Sequence, residues 1–230
     1  MIPVTSREAF REGVRTALPF MLPLGLIYLG FGAACAGQGV GLGQTIAMSA
    51  LIYSTPLQLL LLEMADEPVL IVLPLILAMN ARFILLASSL APALRSASLP
   101  GLIGGATFLI PTVYAAMQAR LARRGENAFA FYLGMGVSLY VVTQIATCGG
   151  AIAGGQLAAP VILDASRFAL ALFLALMAAQ LWPSRRLVSA FVLGALIAPV
   201  SLPILGGWAM VGLPLCIGLA FLKDRKRWAR

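Results

Sequence analysis

Apolar runs of about 20 residues recur along this chain of 230 residues, separated by short connections that hold most of its charge. A helix needs about 20 such residues to cross the hydrocarbon core of a bilayer. Charged residues make up 10% of the chain, against about 25% in soluble domains. That is too little polar surface for water, so the bilayer is the expected solvent. The fold class read from this pattern is an all-α polytopic membrane protein in one transmembrane domain. No cleaved leader is expected, because the first apolar run is not followed by a soluble sequence.

Eight spans are expected, at about 17–36, 42–61, 68–91, 101–119, 129–152, 165–182, 187–203 and 207–222, any of which could instead be a half-span or re-entrant piece. The first sixteen residues read as a short amphipathic helix at the interface, with Arg7, Arg11 and Arg15 beside Phe10 and Val14. Basic residues set orientation, because cytoplasmic connections are enriched in them. With both termini cytoplasmic, thirteen of the sixteen basic residues fall inside. They are Arg7, Arg11, Arg15, Arg120, Arg123, Arg124, Arg185, Arg186 and the tail from Lys223 to Arg230. Two features fit less well: Arg95 falls outside, and the acidic connection "EMADEP" falls inside.

Prolines interrupt several spans, at Pro19, Pro23, Pro56, Pro74, Pro111, Pro199 and Pro203. Each removes a backbone hydrogen bond, a break that membranes tolerate where protein or a wet cavity re-satisfies the backbone. Pro56 stands out because its neighbours are polar, in "MSALIYSTPLQ" (48–58). Met48, Tyr53 and Gln58 resemble Met135, Tyr140 and Gln144, and Arg82-Phe83 resembles Arg167-Phe168. Those offsets suggest an inverted 3+3 repeat, 17–92 and 101–182, plus two extra helices at 187–222.

The chain has no histidine. This excludes Ser-His and Cys-His nucleophile pairs and histidine metal sites. Cys35, Cys148 and Cys216 show no ligand spacing and read as packing residues. No Walker motif is present. The chain therefore reads as no enzyme, with no cofactor, metal or nucleic acid. The net charge of +8 lies mostly in the short connections, where it sets orientation instead.

Among the few polar residues within spans, Ser49, Ser54, Thr55 and Gln58 cluster in the second, Asn80 and Arg82 sit mid-depth in the third, and Gln144 marks the fifth. Ser54 and Gln58 share a helix face if the helix runs on past Pro56. A lone serine or threonine usually back-bonds to its own helix. A mid-bilayer arginine is costlier, about 2.5–3.5 kcal/mol on insertion scales. Either a structural ion pair holds Arg82, with Glu63, Asp66, Glu67, Glu126 or Asp164, or it anchors an anionic group on a substrate.

"MSALIYSTPLQ" followed by "LAMNARFILLASSLAP" (77–92) resembles the paired signature of the AzlC-type branched-chain amino acid permeases. The matching positions are Gln58, Asn80, Arg82, Ser89, Leu90 and Pro92. Residues 13–41 and 163–181 are also similar to that family. The resemblance implies a secondary transporter in the cytoplasmic membrane that exports branched-chain or other small apolar amino acids. It also implies a small AzlD-type membrane partner; the alternatives to a transporter are a non-transporting membrane subunit or scaffold, or a channel for small solutes. Phe83 stands where the family usually has His or a similar polar residue, and 108–115 lacks its acidic pair.

Overall fold

A computed structural model describes residues 5–123, 125–154 and 185–205, with scattered positions between 212 and 220. Among these, every regular element is helical: α1 Ser6–Gly37, α2 Leu42–Ile52, α3 Thr55–Glu63, α4 Val69–Leu90, a 3-10 turn Ala91–Leu94, α5 Leu99–Ala106, α6 Pro111–Ala122, α7 Ala128–Ala153 and α8 Arg185–Leu205. The expected sixth span, with Asp164 and Arg167 beside it, and most of the eighth lie outside the described residues. The chain divides into two units, Met1–Glu63 with Phe83–Leu174, and Met64–Arg82 with Ala175–Arg230.

The first unit is built on α1 and α7. A capping box starts α1: the Thr5 hydroxyl accepts from Glu8 N, and Thr5 N donates to the Glu8 carboxylate. The helix then runs for 32 residues without a break. The amphipathic stretch is therefore its first turns and not a separate interfacial helix. Its small residues explain this: Ala9, Gly13 and Ala17 are fully or nearly buried, and Gly13 lies on the backbone of Phe131 and Met135 in α7. Further along, Gly32 meets the backbone of Thr147 and Ala151, while Gly150 meets Leu29. Both sequences ascend together, so the two helices are parallel.

At the N-terminal end of this pair, the Arg120 Nε donates to Glu12 Oε2 at 3.0 Å and its guanidinium sits 4.9 Å from the Phe131 ring centre. The C-terminus of α6 is thereby fixed beside the start of α1 and of α7. The start of α5 is at the same end, since a Cβ at Gly101 would meet the Phe129 ring at 3.3 Å and the Tyr132 hydroxyl donates to Gly105 O. Between them, Phe108 packs on Gly136 and Tyr140, near the middle of α7. Thus α5 rises from one end and α6 returns to it: the segment is a helical hairpin that turns back half-way.

The segment α2–α3 is the counterpart from the other end. Val40 N bonds to Cys35 O near the end of α1. Ser49 meets Thr147, then Tyr53 meets Tyr28 and Tyr140. Leu62 is back beside Phe31 and Cys35. Gln58 Nε2 donates to Met48 O, a pair that a straight helix would hold about 15 Å apart. The turn is made at Tyr53, whose φ of 35° is left-handed.

These hairpins correct the expected second and fourth spans, 42–61 and 101–119. Each run has enough apolar residues to cross, but hydropathy records composition and not direction. Three helices of the described residues are long and apolar enough to span: α1, α4 with its 3-10 extension, and α7. The correction also resolves both charge misfits. Glu63 lies at the end away from the N-terminus, while Leu90 and Leu94 pack with Ala9, Ala17 and Phe131. The chain therefore crosses once between residues 63 and 90, and Arg95 joins Arg7, Arg11, Arg15, Arg120 and Arg123 at one basic end. The second half of the expected repeat, 101–182, runs into residues outside those described. A hairpin followed by a span occurs twice, α2–α3–α4 and α5–α6–α7, entering from opposite ends. Tyr53 and Phe108 stand at equivalent tips, each three residues before a proline, Pro56 and Pro111. The offset of 85–87 residues would instead set the tip residue Tyr53 against Tyr140, inside an unbroken helix.

Cysteine labelling in intact cells tests this topology. Cysteines placed at Arg95 and Arg123 are expected to react from the same side of the membrane, and one at Glu63 from the other. An eight-span chain would place residues 63 and 123 together, opposite 95.

In the second unit, the part of α4 before Phe83 exposes Val69, Leu70, Ile71, Leu73 and Leu77, a face suited to lipid. Over most of its length α8 likewise exposes Val192, Leu196 and Val200.

Candidate functional site

The two hairpin tips meet on one side chain. Tyr140 receives Tyr53 edge-on at 5.0 Å between ring centres, and Phe108 at 5.5 Å. Tyr28 of α1 closes the group, 5.8 Å from Tyr53. The Tyr140 hydroxyl donates to Ala50 O, one of the carbonyls left over where α2 ends. Polar residues surround this aromatic group. Ser49 and Thr147 share a hydrogen bond of 2.9 Å, which pins α2 to α7. Thr147 and Thr143 are both fully buried. The Tyr28 hydroxyl faces Thr55 at the head of α3.

Several buried polar atoms at this site have no partner. They are the Tyr53 hydroxyl, Gln58 Oε1, and both amide atoms of Gln144. The Tyr53 hydroxyl points toward Thr143 without reaching hydrogen-bond geometry. Leaving such a group unsatisfied costs about 1–3 kcal/mol each. The left-handed backbone of Tyr53 adds strain of order 1–3 kcal/mol, and strain of this kind collects at functional sites. Gln144 lies one turn beyond Tyr140 on the stripe that starts at Gly136.

Of the residues expected to form a site, five lie in the first unit. Ser49, Ser54, Thr55 and Gln58 line the α2–α3 hairpin and Gln144 lies on α7. Ser54 and Gln58 do not share a face of one continuous helix, because the helix ends at Ile52 and restarts at Thr55. Ser54 O instead accepts from Gln58 N at 2.9 Å, closing the first turn of α3. Asn80 and Arg82 lie on α4 in the second unit. Asn80 Nδ2 donates to Ile76 O of its own helix at 2.8 Å, which uses one of its two amide N–H groups. Arg82 stands on an exposed face of α4 and is engaged by a neighbour.

Tyr28, Tyr53, Tyr140 and Phe108 were not expected as site residues. A signal was present: the chain has five tyrosines, three of which meet here, and an aromatic stands three residues before a proline at both tips.

Chemically, the site combines hydrogen-bond donors and acceptors with aromatic walls and carries no ionised side chain on its tips. It suits recognition of a small molecule with polar and apolar parts. Among the described residues no group of His, Cys, Asp or Glu could hold a metal ion.

A family model described as "AzlC protein" matches residues 19–157, which contain both hairpins, α4, α7 and α1 from Pro19 onward. No curated protein matches the chain, and no solved structure matches it.

Proposed function

The chain belongs to the AzlC family, a family of membrane transporters associated with amino acids, and from that premise we propose that it exports branched-chain or other small apolar amino acids across the cytoplasmic membrane. The observation that carries the reading is the pair of half-depth hairpins that enter from opposite ends and share Tyr140. Irregular backbone at membrane depth belongs where it lines a substrate cavity. Each hairpin can then serve as the gate toward its own side. The aromatic walls hold the aliphatic chain, and each methylene contributes only about 1–3 kcal/mol to discrimination.

Gln58 Oε1 and Gln144 Oε1 are acceptors suited to an ammonium group, and Ser49, Ser54 and Thr55 complete the polar lining. Arg82, with Asn80 on the same helix, is the charged group suited to the substrate carboxylate. The basic end, with Arg7, Arg11, Arg15, Arg95, Arg120 and Arg123, faces the cytoplasm under the positive-inside rule. A small AzlD-type subunit acts with the chain.

Efflux from leucine-loaded vesicles tests this. Saturable export is expected from the chain reconstituted with its small partner, and little from either alone. A complex that exports none of valine, leucine or isoleucine would sink the transport reading and leave a scaffold.

A further inference from the structure

Three polar side chains of the first unit form one hydrogen-bonded row. Ser89 Oγ shares a hydrogen bond of 3.1 Å with the Tyr114 hydroxyl, and Gln118 Nε2 donates to that hydroxyl at 2.9 Å. The row ties α4, whose stretch from Phe83 onward belongs to this unit, to α6. Its depth is fixed at both ends. Tyr114 N donates to Ile110 O, so Tyr114 stands in the first turn of α6, just past the tip that carries Phe108. Arg120, bonded to Glu12, marks the basic end six residues later. Six helical residues span about 9 Å. The row therefore starts beside the half-depth tip and runs toward the basic surface.

Such a row does not suit lipid. Ser89 is exposed, and Tyr114 and Gln118 are partly exposed. A serine by itself is tolerated, because it bonds back to its own helix, as Ser88 does to Leu85 O and Ser89 to Leu86 O. Polar side chains also clamp helices together in membranes, but a clamp uses up its own groups. Here Gln118 Oε1 accepts from none of the described residues. Keeping such an acceptor away from water without a partner costs about 1–3 kcal/mol. Water at the row removes that cost, and polar groups at membrane depth belong where a wet cavity meets them.

We propose that Ser89, Tyr114 and Gln118 line a water-filled passage from the basic end to the α5–α6 tip, by which a small zwitterionic solute reaches the hairpins. The row offers both donors and acceptors, which stand in for water that the solute's ammonium and carboxylate groups shed on the way. This deepens the transport reading, and rests on it for the solute and for the side that is cytoplasmic.

Thiol modification tests the passage separately from transport. Ser89→Cys and Ser88→Cys are made in the full chain, produced with its small partner in inside-out vesicles. The vesicles are treated with the charged reagent 2-sulfonatoethyl methanethiosulfonate. Modification is read at the residue itself by mass spectrometry, so the native cysteines stay. The two positions are neighbours at one depth and both are exposed. Ser88, however, lies one turn from the exposed Ile84, on the face opposite the buried Leu90. Ser89→Cys is expected to react at least about tenfold faster than Ser88→Cys, since the thiolate is the reacting form and apolar surroundings raise a thiol's pKa. Leucine is expected to slow Ser89→Cys and to leave Arg123→Cys, at the surface, unchanged. Equal rates at 88 and 89 overturn the passage and leave a clamp. A fast reaction at 89 that leucine does not slow, in a complex that exports leucine, overturns it as the solute's route. A fast reaction at 89 in a complex that exports nothing supports the wet passage while removing export. Should Ser89→Cys fail to fold, Gln118→Cys takes its place against the same reference, with the same outcomes.

Discussion

Gly150→Leu is expected to leave almost no folded protein in the membrane, whereas Gly149→Leu, one residue away, is expected to behave like the parent. A Cβ at Gly150 would overlap the Leu29 carbonyl oxygen and crowd its Cα, while a Cβ at Gly149 meets nothing within 4 Å. The obstacle at Gly150 is backbone, which has no rotamer to change. Overpacking usually costs about 1–3 kcal/mol, and a rigid neighbour puts this site at or above the upper figure. The consequence is larger than one contact. In lipid there is no hydrophobic force to bring two helices together, so close approach at small residues supplies the association. Gly150 and Gly154 face Leu29 and Ala33, as Gly134 faces Phe10 at the other end. Pushing α1 off α7 also unseats both hairpins, since their tips and ends are placed by those two helices. Accumulation in membranes and the midpoint of thermal unfolding in detergent are the measurements. Equal stability of the two variants would mean that α1 and α7 do not pack as described.

The hairpins show where sequence reading stops. The break near Pro56 was legible, because serine, threonine and glutamine around a proline are expensive in lipid. Its direction was not: a run of twenty apolar residues looks the same whether the chain proceeds or doubles back. The charges held the missing information. Arg95 on the wrong side and an acidic connection among the basic ones are what two unrecognised hairpins produce, each shifting the side of every later connection. Ser49, Gln58 and Gln144 could be picked out because a polar group within a span needs a reason. Tyr28, Tyr140 and Phe108 could not, since an aromatic in an apolar run satisfies the bilayer whether or not it faces a site. The short amphipathic segment read as a separate element because its arginines suggest an interface. Its glycine and alanines, on the opposite stripe, were the packing surface that joins it to the span.

Arg82→Ala is expected to cut leucine efflux by about 10- to 100-fold, the loss of one charge-assisted hydrogen-bonded anchor of about 1.5–3 kcal/mol. The residue is fourteen positions into α4, too deep for a charge kept without reason. A neighbour already engages it, so a purely structural role is the rival explanation, and the two give different patterns. An anchor acts on the substrate: Arg82→Ala raises KM or lowers the maximal rate while the unfolding midpoint stays near the parent's. Arg82→Lys keeps the charge but not the two parallel donors, and recovers only part of the loss. A structural pair acts on the fold: Arg82→Ala lowers the midpoint and the amount of protein, yet each folded molecule exports at the parent's rate. Efflux normalised to folded protein therefore decides. A normal value for Arg82→Ala would remove Arg82 from the substrate path and leave recognition to the hairpin tips.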